Sequence, residues 1–256
     1  MSFSLRLKER RPLLHSFTFD EINSRSHCDL FVSGGGTFNV PERDIESIPI
    51  PGRNGELTID HGRFSNIVVT YSGWINCKTD TEFRQKYDLA KNWLCSRIGY
   101  KRLEDDYHPD EYRMARFING LQFAMFPEYN MGKTVIQFDC MPQRWLKSGE
   151  EPISIVTPSG STLQNPTSFS SKPLVTVYGT GEATIFIGET NISISDIGGS
   201  VTLDSEIEKA YNGLTSRTNT VTTDNGYPIL HPGRNVVMFR GDGITSITII
   251  PRWWQI

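Results

Sequence analysis

The chain has 256 residues, 37% of them hydrophobic, and a formal charge of −3, which fits one large or two ordinary soluble domains with room for a sizeable core. No stretch reaches the ~18 consecutive apolar residues of a membrane-spanning helix. The basic start over residues 1–11 lacks the apolar run of a secretory signal, so the chain is expected to be made and folded in a cytoplasm, with no membrane anchor.

Charge is unevenly placed: residues 1–149 hold 20 Lys/Arg and 19 Asp/Glu, residues 150–256 only 6 and 10. Two compositions point to two domains, and neither has the basic excess of a nucleic-acid binder. In chain order, the alternation over residues 13–19 marks a strand, and Leu30-Phe31-Val32 before Gly34-Gly35-Gly36 marks a second strand and its turn. The triple glycine is no phosphate cradle, because the Lys-Ser/Thr of a P-loop is absent and no helix signal follows.

Residues 40–57 interleave Ile45, Ile48 and Ile50 with Pro41, Pro49 and Pro51 and end in the turn Gly52-Arg53-Asn54-Gly55. Proline excludes a central strand and leaves an extended edge or arm. Its isoleucines must be buried on their own domain or on a neighbouring chain, and the residues leave both open. Ile45, Ile48, Ile50 and Arg53 are therefore the candidate interface residues.

Strands resume over residues 56–60 and 67–71. Thr79 with Glu82 forms a capping box, and Phe83, Tyr87, Ala90, Leu94 and Ile98 then share one face before Gly99. This predicts a helix over about 80–98 that covers a sheet. The acidic run over residues 103–111 lacks the ligand spacing of a calcium loop and reads as a solvated loop. Two strands follow, Arg113 to Phe126 and Lys133 to Pro142, pairing as a hairpin.

Residues 143–151 read as a linker, giving domains at 1–145 and 152–256. Beyond it come short apolar runs at 153–156, 174–178, 184–187, 191–194, 201–204 and 220–222, with glycines between them and no helical period. That is the pattern of a β-sandwich or jelly roll. Residues 236–239 and 244–250, separated by Arg240-Gly241-Asp242-Gly243, read as its closing hairpin. Trp253 and Trp254 are adjacent, so they point to opposite faces, with one buried.

Catalytic and metal chemistry find little support. Cys28, Cys77, Cys95 and Cys140 are widely spaced and read as buried free thiols, and no histidine joins them at zinc-ligand spacing. No serine-hydrolase elbow, metalloprotease helix or kinase set is present. The chain is read as a non-enzyme without cofactor. The competing reading is a carbohydrate-binding β-sandwich module acting in host-cell adhesion, although no strand of the second half carries an aromatic stripe.

A helix-bearing β-domain followed by a small-residue-rich sandwich resembles the distal tail (Dit) proteins of long-tailed phages infecting Gram-positive bacteria. Asn165-Pro166 and Lys172-Pro173-Leu174-Val175-Thr176-Val177-Tyr178-Gly179-Thr180-Gly181 look like the family's lead into its second domain. Tyr227-Pro228-Ile229-Leu230, Pro232-Gly233-Arg234-Asn235 and the ending Ile247-Thr248-Ile249-Ile250-Pro251-Arg252-Trp253-Trp254 look like its closing strands. The first half matches in organisation more than in motif.

The resemblance implies a mainly β protein: an N-terminal sandwich- or barrel-like domain with one α-helix, and a galectin-like C-terminal sandwich. It implies a homohexameric ring at the virion tail tip, assembled in the host cytoplasm. That baseplate hub would join the tail tube protein to the tail-associated lysin or fibre and to receptor-binding proteins, with DNA passing through the channel unbound. Sugar binding does not follow, because the polar and Trp ligand set of a galectin is not recognisable in these residues.

Overall fold

The computed structural model describes residues 14–33, 37–156 and 160–256. The triple glycine, the basic start and Leu13 lie outside the described residues. The chain divides into two compact units, residues 1–143 with Ile256, and residues 144–255.

In the first unit the strands are β1 (Phe17–Phe19), β2 (Ile22–Asn23), β3 (Leu30–Ser33), β4 (Arg43–Pro49) and β5 (Glu56–Phe64). They continue as β6 (Ile67–Asn76), β7 (Lys101–Asp105), β8 (Glu111–Phe117), β9 (Phe123–Phe126) and β10 (Met131–Cys140). Its helices are α1 (Ser24–Cys28) and α2 (Asp80–Cys95). The antiparallel sheet runs β2-β1-β7-β8-β10-β6-β3, with β9 beside the start of β10. The expected hairpin of two strands is there, but its first strand breaks at 118–122, so β8 and β9 pair with opposite ends of β10.

The spine is β10 on β6, in register from Met131↔Asn76 to Cys140↔Ile67. Alternation along it sends Val69, Tyr71, Ile75, Ile136 and Phe138 inward. There Phe17, Phe19, Tyr71, Trp93 and Phe138 form an aromatic cluster, with centroids 4.9 Å apart for Phe19–Phe138 and 5.5 Å for Phe17–Trp93. The Trp93 indole N–H donates to the Phe19 carbonyl (3.0 Å), which satisfies its one polar atom inside the core. Ala90 and Leu94 flank it from the same helix face.

The capping box forms: the Glu82 N–H donates to Thr79 Oγ1 (3.1 Å), while the Glu82 carboxylate reaches back to the Lys78 N–H (2.8 Å). The helix stops earlier than expected, at Cys95 capped by Ser96, and Ile98 is 91% exposed rather than part of the apolar stripe. Gly99, at φ 77°, then turns the chain toward β7. Cys95 is exposed, unlike Cys28, Cys77 and Cys140; burial pushes the Cys28 thiol up to about 12. The short α1 has no signal in hydrophobic period, only the Asn23 side chain accepting from the Arg25 and Ser26 N–H groups.

The acidic run is a correction too. Residues 101–105 are strand β7, and the Tyr71 hydroxyl donates to Asp105 (2.7 Å), whose other oxygen accepts the Tyr107 and His108 N–H groups. Asp106 accepts from the Ser16 N–H (2.6 Å) and hydroxyl (2.9 Å). These carboxylates clamp the edge of the core, and burial beside Asp105 pushes the Tyr71 phenol well above its ordinary range.

Gly132, in β10, faces the first turn of α2. A Cβ there would lie 2.5 Å from Phe83 Cε2 and 3.3 Å from Met125 Sδ. Gly132→Ala is therefore expected to destabilise by roughly 1–3 kcal/mol through overpacking, read as a lower urea midpoint at unchanged slope.

The second unit is a sandwich. Its strands are β11 (Arg144–Leu146), β12 (Ile153–Ile155), β13 (Ser161–Asn165), β14 (Leu174–Gly179), β15 (Ala183–Ile187), β16 (Thr190–Ile194) and β17 (Gly199–Asp204). They end with β18 (Lys209–Asn212), β19 (Thr215–Ser216), β20 (Val221–Thr223), β21 (Gly233–Arg240), β22 (Ile244–Ile250) and β23 (Trp254–Gln255). One sheet runs β12-β22-β14-β17-β18-β19, the other β13-β21-β15-β16-β20. Val175, Val177, Val201, Leu203, Ile247 and Ile249 of the first face Ile185, Ile187, Ile192, Ile194, Val237 and Phe239 of the second in one fully buried core.

The expected closing hairpin is not one. β21 pairs with β13 and β15, and β22 with β12 and β14, so residues 241–243 carry the chain from one sheet to the other. Gly241 sits at φ 136° and Gly179 at φ 150°, and side chains on Gly179 or Gly243 would run into the backbone of Gly243 or Thr180. The glycines serve a close crossing between strands, not a two-strand turn.

Nor is 143–151 a free linker. β11 pairs with β23 (Arg144↔Gln255, Trp145↔Trp254), the Leu146 N–H donates to the Trp253 carbonyl (2.9 Å), and the Arg252 N–H to Gly149 (2.8 Å). Trp253 is buried and Trp254 stacks on Phe169 at 4.5 Å, donating to the Ser170 carbonyl (3.0 Å).

Beside them Arg252 forks onto Asp204, Nη1–Oδ1 2.7 Å and Nη2–Oδ2 3.1 Å. Burial opposes ionisation of Asp204, but the guanidinium and the Glu206 N–H outweigh it and hold the carboxylate below its usual range. A depressed carboxylate stabilises at neutral pH, and that stabilisation is lost as pH falls below about 3.9 and through the folded value. Arg252→Ala is expected to cost about 2 kcal/mol at pH 7, with the gap to wild type closing in acid melts.

Candidate assembly site

The feature that no core explains is the ribbon β4–β5. It forms a two-stranded sheet of its own, and most of its residues are exposed on both faces. Seven residues of strand give it a reach of roughly 23 Å. The tip follows the type II pattern, with Pro51 second, Gly52 third at φ 77°, and the Arg53 N–H donating to the Ile50 carbonyl (3.2 Å). Gly55, at φ 84°, leads into β5.

At the base the Ser65 N–H donates to the Glu42 carbonyl (2.9 Å), and the Asn39 amide to the Val68 carbonyl (3.1 Å). There the register slips between Arg43↔Phe64 and Ile45↔Asp60, a bulge around Gly62 at φ 71°. Arg43 Nε donates to Asp60 (2.8 Å) and Arg63 Nε to Asp44 (2.6 Å), two clips across the ribbon. Hydrogen bonds from Arg43, then the Gly62 N–H, keep the Asp60 carboxylate below its usual range.

The structure sorts the sequence candidates by face. Ile48 pairs with Leu57 and Glu46 with Ile59, so these four share one face; Ile45 pairs with Asp60 and Ser47 with Thr58 on the other. Ile45 (51% exposed) is thus separated from Ile48 (37%), while Ile50 is half-buried at the tip and Arg53 exposed beside it. Leu57 (44%) and Ile59 (39%) complete the apolar face. They escaped the sequence reading, although Leu57-Thr58-Ile59 after Gly55 carries the alternation of a hairpin's return strand.

An isolated two-stranded hairpin is marginal in water, and this one exposes an apolar face. Among the described residues, no group of three or more His, Cys, Asp or Glu could hold a metal ion, and no helix is long and apolar enough to cross a membrane.

No family profile matches the sequence, and no curated protein sequence is similar to it. Solved structures are similar in fold. The crystal structure of the SPP1 Dit (gp 19.1) protein superposes with a TM-score of 0.70 at 11% identity, over 95% of this chain and 100% of that one. This chain has the Dit fold. Coverage that high takes in both units, so the Dit likeness rests on the pair and not on a generic sandwich alone. A chain of the phage P2 baseplate, in its activated conformation with Ca, superposes with a TM-score of 0.50 at 7% identity, over 93% of this chain and 97% of that one. The SPP1 Dit protein is described as a paradigm of the hub adsorption apparatus in phages infecting Gram-positive hosts.

Proposed function

We propose that this chain is a structural subunit of a phage tail tip, a distal tail protein that assembles into a ring of about six copies as the baseplate hub. The observation that carries this is the Dit fold over 95% of the chain. In this reading the first unit builds the ring, with the tail tube protein on one side and the tail-associated lysin or fibre on the other, and the second unit supports receptor-binding proteins. The protein acts by geometry, without catalysis or cofactor, at the virion tail tip, and DNA passes through the ring unbound.

A closed ring needs a heterologous interface, in which each copy offers two different patches. The uncovered face of Ile48, Leu57 and Ile59 is the first patch. The carbohydrate-module reading loses ground here, since Trp253 is core and Trp254 is committed to Phe169 and Ser170. Light scattering coupled to size exclusion over a range of concentrations is expected to show a ring-sized species. A strict monomer at the highest concentration, together with specific binding on a glycan array, would overturn the hub reading in favour of the module.

A further inference from the structure

The ribbon explains one patch of a heterologous contact and leaves its receptor unassigned. The outer face of the first unit's sheet holds an open groove of about 650 Å³, lined by Ser72, Gly120, Ala124, Phe126, Lys133 and Val135 among others. Small residues such as Ser72, Gly120 and Ala124 line it together with the partly exposed Phe126 (37%) and Val135 (50%). No helix covers this side of β6 and β10 in the described residues; α2 packs its buried Trp93 into the opposite, aromatic face.

Charge and spacing both match the ribbon. Lys133 lies over the Phe126 ring at 5.0 Å and has no carboxylate partner among the described residues. Glu46, which shares the ribbon's apolar face with Ile48, Leu57 and Ile59, has no cation partner among the described residues either. Glu46 and Ile48 are two residues apart on one strand, as are Lys133 and Val135, so both steps measure roughly 7 Å. An anion beside a branched apolar residue on the ribbon thus matches in pitch a cation beside another in the groove.

We propose that this groove receives the ribbon of a second copy of the chain, with Ile48, Leu57 and Ile59 against Val135 and Phe126, and Glu46 meeting Lys133. The proposal rests on the ring reading and adds the second patch that the ring requires. Because the ribbon and the groove are different surfaces of the same unit, the contact is heterologous and can repeat from copy to copy.

The test mixes two full-length chains, both carrying Cys95→Ser, one with Leu57→Cys and the other with Val135→Cys, treated with a short bismaleimide. Light scattering reports assembly in the same samples. The expected result is a covalent dimer formed only in the mixture, and none when Val135→Cys is replaced by Ile207→Cys in the second unit. Glu46→Lys is expected to weaken association about tenfold, with Lys133→Glu in the same chain restoring it. A ring that assembles without a 57–135 cross-link and is indifferent to the charge swap would overturn the groove assignment, leaving the hub reading intact and the groove to another tail protein. Absence of any ring would overturn both.

Discussion

Replacing Ile48 and Leu57 together by Asp is expected to dissolve the ring into folded protomers. In the lone chain both side chains are already substantially exposed, so the substitutions remove little packing. Ile48 and Leu57 are direct cross-strand partners, so the two carboxylates also repel across the ribbon, at about 1 kcal/mol, which lowers the melting temperature of the lone chain by about 2–4 °C. In an assembled ring the same carboxylates would sit desolvated and unpaired, at a cost of several kcal/mol per interface. A closed ring repeats that cost at every contact. Ile45→Asp, on the polar face beside Asp60 and Thr58, is the control and should weaken assembly far less. The oligomer fraction by light scattering and the melting temperature of the dilute protomer separate the outcomes. Unaltered assembly, or loss of the protomer fold, would remove the ribbon from the interface.

A comparable effect is expected within the second unit. A fragment of residues 144–256 should fold alone with a dispersed amide spectrum, whereas 152–256 should melt far lower or fail to fold. The shorter fragment lacks β11 and the turn at Gly149. Trp253, 4% exposed in the intact chain, then loses the backbone that packs against it and the hydrogen bond at Leu146. Uncovering an indole of this size, with its strand pairing, costs roughly 3–5 kcal/mol, a large part of the 5–15 kcal/mol that holds a typical domain together. Equal stability of the two fragments would mean that residues 144–151 are a tether after all.

Which features could be read from residues alone follows from the range of the interactions that set them. The start of α2 is local chemistry, Thr79 and Glu82, and is readable; its end depends on which side chains find a core to pack against, and Ile98, though apolar and in phase, stays exposed. The turn at residues 240–243 has the chemistry of a hairpin, but whether the next strand pairs with the last or crosses to another sheet depends on β13, β14 and β15, far away in sequence. β13 itself, Ser161–Asn165, is too polar to show a period. Asp105 and Asp106 looked solvated because their partners, Tyr71 and Ser16, are distant in the chain.

The candidate site divides in the same way. Prolines and glycines exposed the ribbon, and counting by two separates Ile45 from Ile48 without any structure. Leu57 and Ile59 become part of the site only once the strands are seen to pair, and the receptor groove, drawn from β6, β9 and β10, has no contiguous sequence signal at all.

The pairing of Trp145 with Trp254 has a further consequence. The first and last strands of the second unit are neighbours, zipped together at a two-rung ladder. A unit whose first and last strands are neighbours can be exchanged for another cassette of similar ends. Exchange of everything between Arg144 and Gln255 leaves the residues of the ribbon, which belong to the first unit, unchanged. On the ring reading proposed above, such an exchange re-equips the protein for a new surface while keeping the ribbon proposed to join its copies.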